Sequence, residues 1–308
     1  EDYMDWSKTF LSFLKIRGSY GSVGNEAVGD YRFLPIMALP TAGSGWVMNG
    51  INQPTVNAPN MYSPTLTWET VSTVDFGVDA KFFNGRLGLT FDWFKRNTTD
   101  MLTAGVTVPS SLGAAAPLRN FGELEAKGWE LAIDFNHRFS NGLGINLSAN
   151  LADATEKLTK FSGATRALPG PITGLNTVYY EGMNLGVIWG YQTDRLFTAD
   201  DFSGVGANGR YIYKEGVPSQ AQLETGSFYF GPGDIKYVDL NGDGVIYQGT
   251  NTVDDPGDKR VIGNSTPRYQ YGFRVGADFK GFDLDVYFQG VGKRELWASG
   301  NIVFPGFR

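Results

Sequence analysis

Strict alternation over long stretches constrains this chain more than any other feature. From Thr73 to Phe82, the residues Val74, Phe76, Val78, Ala80 and Phe82 are apolar, while Thr73, Asp75, Gly77, Asp79 and Lys81 between them are small or polar. A period of two marks a strand with one apolar face, because successive side chains of an extended backbone point to opposite sides. After Asn84-Gly85 the pattern resumes with Leu87, Leu89, Phe91 and Trp93 against Gly88, Thr90 and Asp92. Asn-Gly suits the left-handed backbone of a tight turn, so the two segments read as a hairpin.

The unit recurs twice. Trp129, Leu131, Ile133, Phe135 and Phe139 alternate with Glu130, Ala132, Asp134, Asn136 and Arg138, and Ser140-Asn141-Gly142 leads into Leu143, Ile145, Leu147, Ala149 and Leu151. Tyr269, Tyr271, Phe273, Val275, Ala277 and Phe279 form the next set, and Lys280-Gly281 leads into Phe282, Leu284, Val286 and Phe288. With a weaker strand near 10–20, the predicted strands lie near 68–83, 86–102, 121–139, 143–158, 267–279 and 282–292. The long connections fall near 21–67, 103–120 and 159–266. The aromatic content of 14% and the 41 glycines agree with an all-β chain.

Turns of two or three residues at one end and connections of tens of residues at the other are foreign to a compact sandwich. They are the rule in an outer-membrane barrel, whose periplasmic turns are short and whose extracellular loops are long. Strands of about ten residues also suit a tilted bilayer crossing, where soluble strands run to about five or six. The expected fold is therefore an antiparallel transmembrane β-barrel, present as an incomplete portion of about seven strands. In lipid the apolar face points outward, which puts Asp75, Asp79, Glu130, Asp134, Arg138, Arg274, Asp278, Asp283 and Asp285 on the lumen side. Trp93, Phe94, Trp129, Tyr269 and Tyr271 are expected to form an aromatic girdle near the long loops.

The net charge of −6, the pI near 4.9 and the lack of a Lys/Arg-rich run give no footprint for nucleic acid. No cysteine is present, so disulfides, zinc-thiolate sites and cysteine nucleophiles are excluded for these residues. Neither a leader-type segment nor an apolar run of about 18 residues is visible. The chain begins at Glu1 without an initiator Met and is expected to be part of a longer one.

The runs KIRGSYGSVGNEAVGDYRFLP (15–35), SPTLTWETVSTVDFGVDAKFFNGRLGLTFDWFKRNTTDML (63–102), GDIKYVDLNGDGVI (233–246) and VIGNSTPRYQYGF (261–273) resemble the SusC/RagA family of TonB-dependent outer-membrane transporters. The resemblance covers only the C-terminal part of that family's barrel. It implies import of large nutrients, mostly oligosaccharides and in some members peptides, across the outer membrane of a Gram-negative bacterium of the Bacteroidetes type. It also implies a SusD-like surface lipoprotein as cap, and a TonB complex acting through an N-terminal region absent from these residues. Membrane lipid would surround the barrel.

Within YVDLNGDGVIYQG (237–249), Asp239, Asn241, Asp243 and Gly244 have the spacing D-x-N-x-D-G that opens an EF-hand calcium loop. Asp239, Asn241 and Asp243 offer side-chain oxygens and Val245 a carbonyl, but Thr250 stands where the twelfth position requires Glu. The family pattern closes with an acidic residue before V-I-G, which implies Asp258. Two readings stand side by side: an Asx-rich turn without metal or other cofactor, in which these side chains hold backbone amides, and a structural calcium site. Catalysis is not expected, because the one histidine, His137, lies on the outward side beside a turn. Trp46, Trp189, Tyr191 and Tyr229 are the candidate sugar-stacking residues of the long loops. A surface adhesin or secreted carbohydrate-binding β protein is the alternative function, and an outer-membrane barrel enzyme a third.

Overall fold

The computed structural model describes residues 10–26, 47–52, 61–104, 116–161 and 179–297, with a few isolated positions between these ranges. In chain order the strands are β1 (Leu11–Asn25), β2 (Val47–Met48), β3 (Ile51–Asn52), β4 (Glu69–Phe82), β5 (Leu87–Ala104), β6 (Leu118–Arg138), β7 (Gly144–Lys160), β8 (Val187–Tyr191), β9 (Thr193–Leu196), β10 (Phe202–Val205), β11 (Tyr211–Tyr213), β12 (Ile235–Tyr237), β13 (Lys259–Asn264), β14 (Arg268–Phe279) and β15 (Phe282–Lys293). Seven of them form one sheet in the order β1-β4-β5-β6-β7-β14-β15. Its described pairings are antiparallel. It ends at β1 on one side and β15 on the other, so the barrel is not closed within these residues.

Register turns the alternation into two faces. Val78 lies opposite Ile16 and Phe91, Phe91 opposite Leu131, and Leu131 opposite Leu151, giving a continuous apolar row across five strands. The next row carries Phe76 opposite Trp93 and Trp93 opposite Trp129. Among the described residues no protein layer covers these apolar side chains: Phe76 is 46% exposed and Val74 44%. A soluble sheet buries such a face, whereas a barrel presents it to lipid.

Two expectations are corrected. Phe94 does not join Trp93 in a girdle, because neighbours in a strand occupy opposite faces. It faces Asp75 and Gly128, and its ring fills the space that a Cβ on Gly128 would occupy. The turn after β4 is also longer than Asn84-Gly85. Phe82 pairs with Leu87, so residues 83–86 all lie in the connection, and Phe83, Asn84 and Gly85 have φ of 53°, 58° and 80°. Lys280 and Gly281, at φ 49° and 87°, do form the two-residue turn between Phe279 and Phe282, with the left-handed pair that matches strand twist.

The chain divides into two compact units, one holding the seven-stranded sheet and the other comprising 165–179, 185–267 and 293–308. Within the second, the region read from sequence as a plain loop carries β8 to β13, paired as β8 with β13, β9 with β12 and β10 with β11. Phe197, Phe202 and Phe230 are buried at its centre, packed by Tyr213, Val217, Leu223 and Tyr237. Strands of only three to six residues left too short a period for the alternation to register.

Candidate functional site

The face of the sheet opposite the apolar one carries a charged network built on cross-strand triplets. Arg17 lies opposite Gly77, which lies opposite Asp92. The Arg17 guanidinium donates to Asp79 at 2.9 and 3.1 Å and to Asp92 at 3.1 Å. A Cβ on Gly77 would run into both Arg17 and Asp92, so the glycine keeps open the slot through which they meet. Arg138, Gly144 and Asp278 repeat the arrangement, with 2.8 Å between guanidinium and carboxylate. Arg274 pairs with Asp285 on the same face.

Beside the last two pairs, an open depression of about 550 Å³ is lined by Asp134, Asn146, Ser148, Arg274, Asp278, Asp283 and Asp285, among others. Carboxylates outnumber cations there, and the lining is mostly polar and charged. Glu130 and Asp75 lie on this face as expected, opposite Asp92 and Ser19 respectively. His137 is on the other face, edge-on to Phe139 with ring centroids 4.4 Å apart, away from the charged network.

The second unit contains the D-x-N-x-D-G loop, and its polar groups are spent on backbone amides. Asp239 accepts from Gly242 N–H (2.6 Å) and Gly244 N–H (2.8 Å). Asn241 accepts from Asp243 N–H at 3.1 Å, and Asp243 from Val245 N–H at 2.9 Å. Asp258 is wholly buried and clamps the loop from its two ends, accepting from Leu240 N–H (2.8 Å) and Tyr247 N–H (3.0 Å). Gln220, equally buried, accepts from Tyr237 N–H at 2.6 Å and donates to the Ile235 carbonyl at 3.0 Å, serving as a substitute strand edge. Among the described residues no three His, Cys, Asp or Glu side chains converge as a metal cage. Side-chain oxygens that accept from amides two to five residues ahead form Asx-type turns.

Of the four aromatic candidates, Trp46 lies outside the described residues. Trp189 is partly buried opposite Val261. Tyr191 packs on Tyr237 with centroids 5.2 Å apart, and burial pushes its hydroxyl up to about 12. Tyr229 is exposed, with the Arg210 guanidinium 4.3 Å above its ring and Glu224 3.4 Å from Arg210. Asp201, almost buried, takes two 2.6 Å bonds from Arg195 and one of 2.8 Å from Thr198 N–H, which hold it well below the usual carboxylate range. Sequence reasoning singled out neither Asp201, Gln220 nor the glycine slots. Only their cross-strand partners give them meaning, and a linear pattern does not contain those partners.

An open antiparallel sheet with an exposed apolar face, a charged opposite face, short turns within its hairpins and long connections between them defines a segment of transmembrane β-barrel. The profile described as TonB dependent receptor-like, beta-barrel, matches residues 5–254, and the chain belongs to that family. TonB-dependent receptor P26 of Formosa agariphila is 27% identical over 300 residues, which are 96% of this chain and 27% of that protein. TonB-dependent receptor SusC of Bacteroides thetaiotaomicron is 26% identical over 276 residues, 89% of this chain and 24% of that protein. The chain thus spans about a quarter of the length of these relatives. Two structures of the RagAB peptide importer, in its closed-closed and open-open states, share the fold with TM-scores of 0.63 and 20% and 22% identity. Each match covers 94% of this chain and 28% or 27% of the RagAB chain.

Proposed function

We propose that these residues are part of a SusC-like outer-membrane transporter of a Gram-negative bacterium. It imports large nutrients, oligosaccharides first among them, with a SusD-like lipoprotein as cap and a TonB complex as the energy source. The observation that carries this reading is the two-faced sheet, with exposed Phe76, Val74 and Ile133 on one side and the Arg17–Asp79–Asp92 and Arg138–Asp278 networks on the other. A polar, mixed-charge wall suits a passage for polyhydroxylated cargo better than a catalytic site. The exposed Tyr229 ring offers a stacking surface for a sugar, and Trp46, Trp189 and Tyr191 are lesser candidates.

The test is deletion of the full-length gene from its host, followed by growth on oligosaccharides and on the corresponding monosaccharides. Growth on the oligomers alone is expected to fail, and to return with the intact gene but not with one lacking its TonB-contact segment. Unchanged growth on every oligomer, with loss of growth on peptides instead, would replace the oligosaccharide reading by a peptide one. Recovery of the protein in the soluble fraction would overturn the transporter.

A further inference from the structure

The outward face of the sheet continues past its apolar band into a cluster of charged side chains. Trp93 pairs with Trp129; two residues further along the same face Lys95 pairs with Lys127, and two beyond that Glu125 pairs with Lys157. The pairing runs without a shift through these rows, since irregularities begin only beyond Thr98 and at Glu123. Lys95, Lys127, Glu125 and Lys157 therefore share the face of Phe91 and Leu131, and not that of the charged network. Lys95 and Lys127 approach Glu125 at 2.7 and 2.5 Å, and Lys157 stands across the ladder from it, exposed.

Depth fixes what this cluster meets. Two to four residues past the tryptophans are about 7–13 Å along the strand at about 3.3 Å per residue. At a tilt near 40° that is roughly 5–10 Å of height, against a headgroup layer of about 5–7 Å on each side of the hydrocarbon. Tryptophan marks the start of that layer, and lysine stems reach within it. Lysines directly opposite each other repel across a ladder, and among the described residues the single carboxylate Glu125 beside three ammonium groups leaves two positive charges unmatched.

We propose that Lys95, Lys127 and Lys157 bind the phosphate of an anionic lipid headgroup, in the leaflet on the side of the long loops. The inference rests on the reading that the apolar face meets lipid. Glu125 spaces the three ammonium groups, and the phosphate completes the neutralisation that Glu125 alone leaves unfinished. Continuity with the lipid-facing band and charge complementarity both select a membrane headgroup over a soluble anion.

The experiment uses the full-length transporter in neutral detergent, titrated in native mass spectrometry with phosphorylated lipid A and with the same lipid after removal of its phosphates. The phosphorylated form is expected to bind at least tenfold more tightly. The K95Q/K127Q/K157Q variant should lose that preference, while Lys15→Gln on the charged face keeps it. Equal binding of the two lipids by the wild-type protein, or an unaltered preference in the triple variant, overturns the proposal. A bimane label on Val78→Cys, quenched by brominated lipid, separates the two levels. Quenching without phosphate preference overturns the headgroup site alone, and no quenching overturns the lipid-facing reading with it.

Discussion

The sheet and the folded loop unit solve opposite solvent problems with the same residue types. In the loop unit Phe197, Phe202 and Phe230 are 2%, 6% and 7% exposed, and polar side chains such as Asp258 and Gln220 are drawn in to satisfy backbone amides. In the sheet Phe76, Ile133 and Val275 stand uncovered, while Arg17, Asp79 and Asp92 gather on the other face. The first is a core that excludes water; the second is a wall that keeps lipid on one side and water on the other. The difference shows that location of an apolar residue on a strand says little until the other side of the sheet is known.

Core truncation should separate the two regions most sharply. Phe197→Ala removes the centre of the loop unit's aromatic cluster, and about 3–5 kcal/mol of local stability is expected to go with it. Hydrogen exchange on the full-length protein should show β9 to β12 losing protection while the seven-stranded sheet keeps it; equal loss in both would erase the distinction. The reverse probe is Phe76→Arg, which places a charge on the lipid side. A cost of about 2–4 kcal/mol near the bilayer midplane is expected, read as reduced assembly in outer-membrane fractions, with the loop unit's exchange unchanged.

A smaller effect is expected at the clamp. Asp258→Asn keeps the shape but turns one acceptor into a donor against Leu240 N–H or Tyr247 N–H, at a cost of about 1–3 kcal/mol. Thermal melting followed by limited proteolysis near 240–247 would register it, and resistance equal to the wild type would deny the clamp its role. In the sheet, Gly77→Val closes the slot between Arg17 and Asp92, and overpacking of this kind costs about 1–3 kcal/mol. The measurement is a double-mutant comparison with Asp92→Asn, in which the two changes should not add.

The smallest effects concern pH and belong to the loop unit. Asp201 is held below its ordinary range, so its pairing with Arg195 contributes stability above the unfolded value of about 4, and loses it as pH falls through the depressed value. Asp201→Asn should flatten the acid limb of the unit's stability profile. At the alkaline end burial raises Tyr191 and Tyr213 to about 12, so their contribution is full below about 10 and fades as pH rises from there toward 12. A spectrophotometric titration in which Tyr191→Phe removes none of the late-ionising phenol would contradict this assignment.

Much of the sheet was legible because its strands are long and one-sided. Val74 to Phe82 and Leu87 to Trp93 reveal both faces and the connecting turn without any partner in view. Phe94 stands beside Trp93 in sequence but on the opposite face, since neighbours along a strand alternate. The D-x-N-x-D-G loop was visible as a turn-forming motif, and Asp258 as its distant partner. That Asp258 reaches Leu240 and Tyr247 amides from a buried position became apparent only in three dimensions.

The sequence by itself determined the class of structure: the period of two, the strand lengths and the unequal connections admit few folds, since backbone geometry forces the side chains to alternate. Tertiary structure decided what that geometry leaves free. It put Gly77 between Arg17 and Asp92, gave the long insertion its own aromatic core, and carried Lys95, Lys127 and Lys157 to one patch beyond the tryptophans. Each of these depends on register between strands distant in sequence. Register is set by pairing across the whole sheet, which no single stretch of the chain encodes.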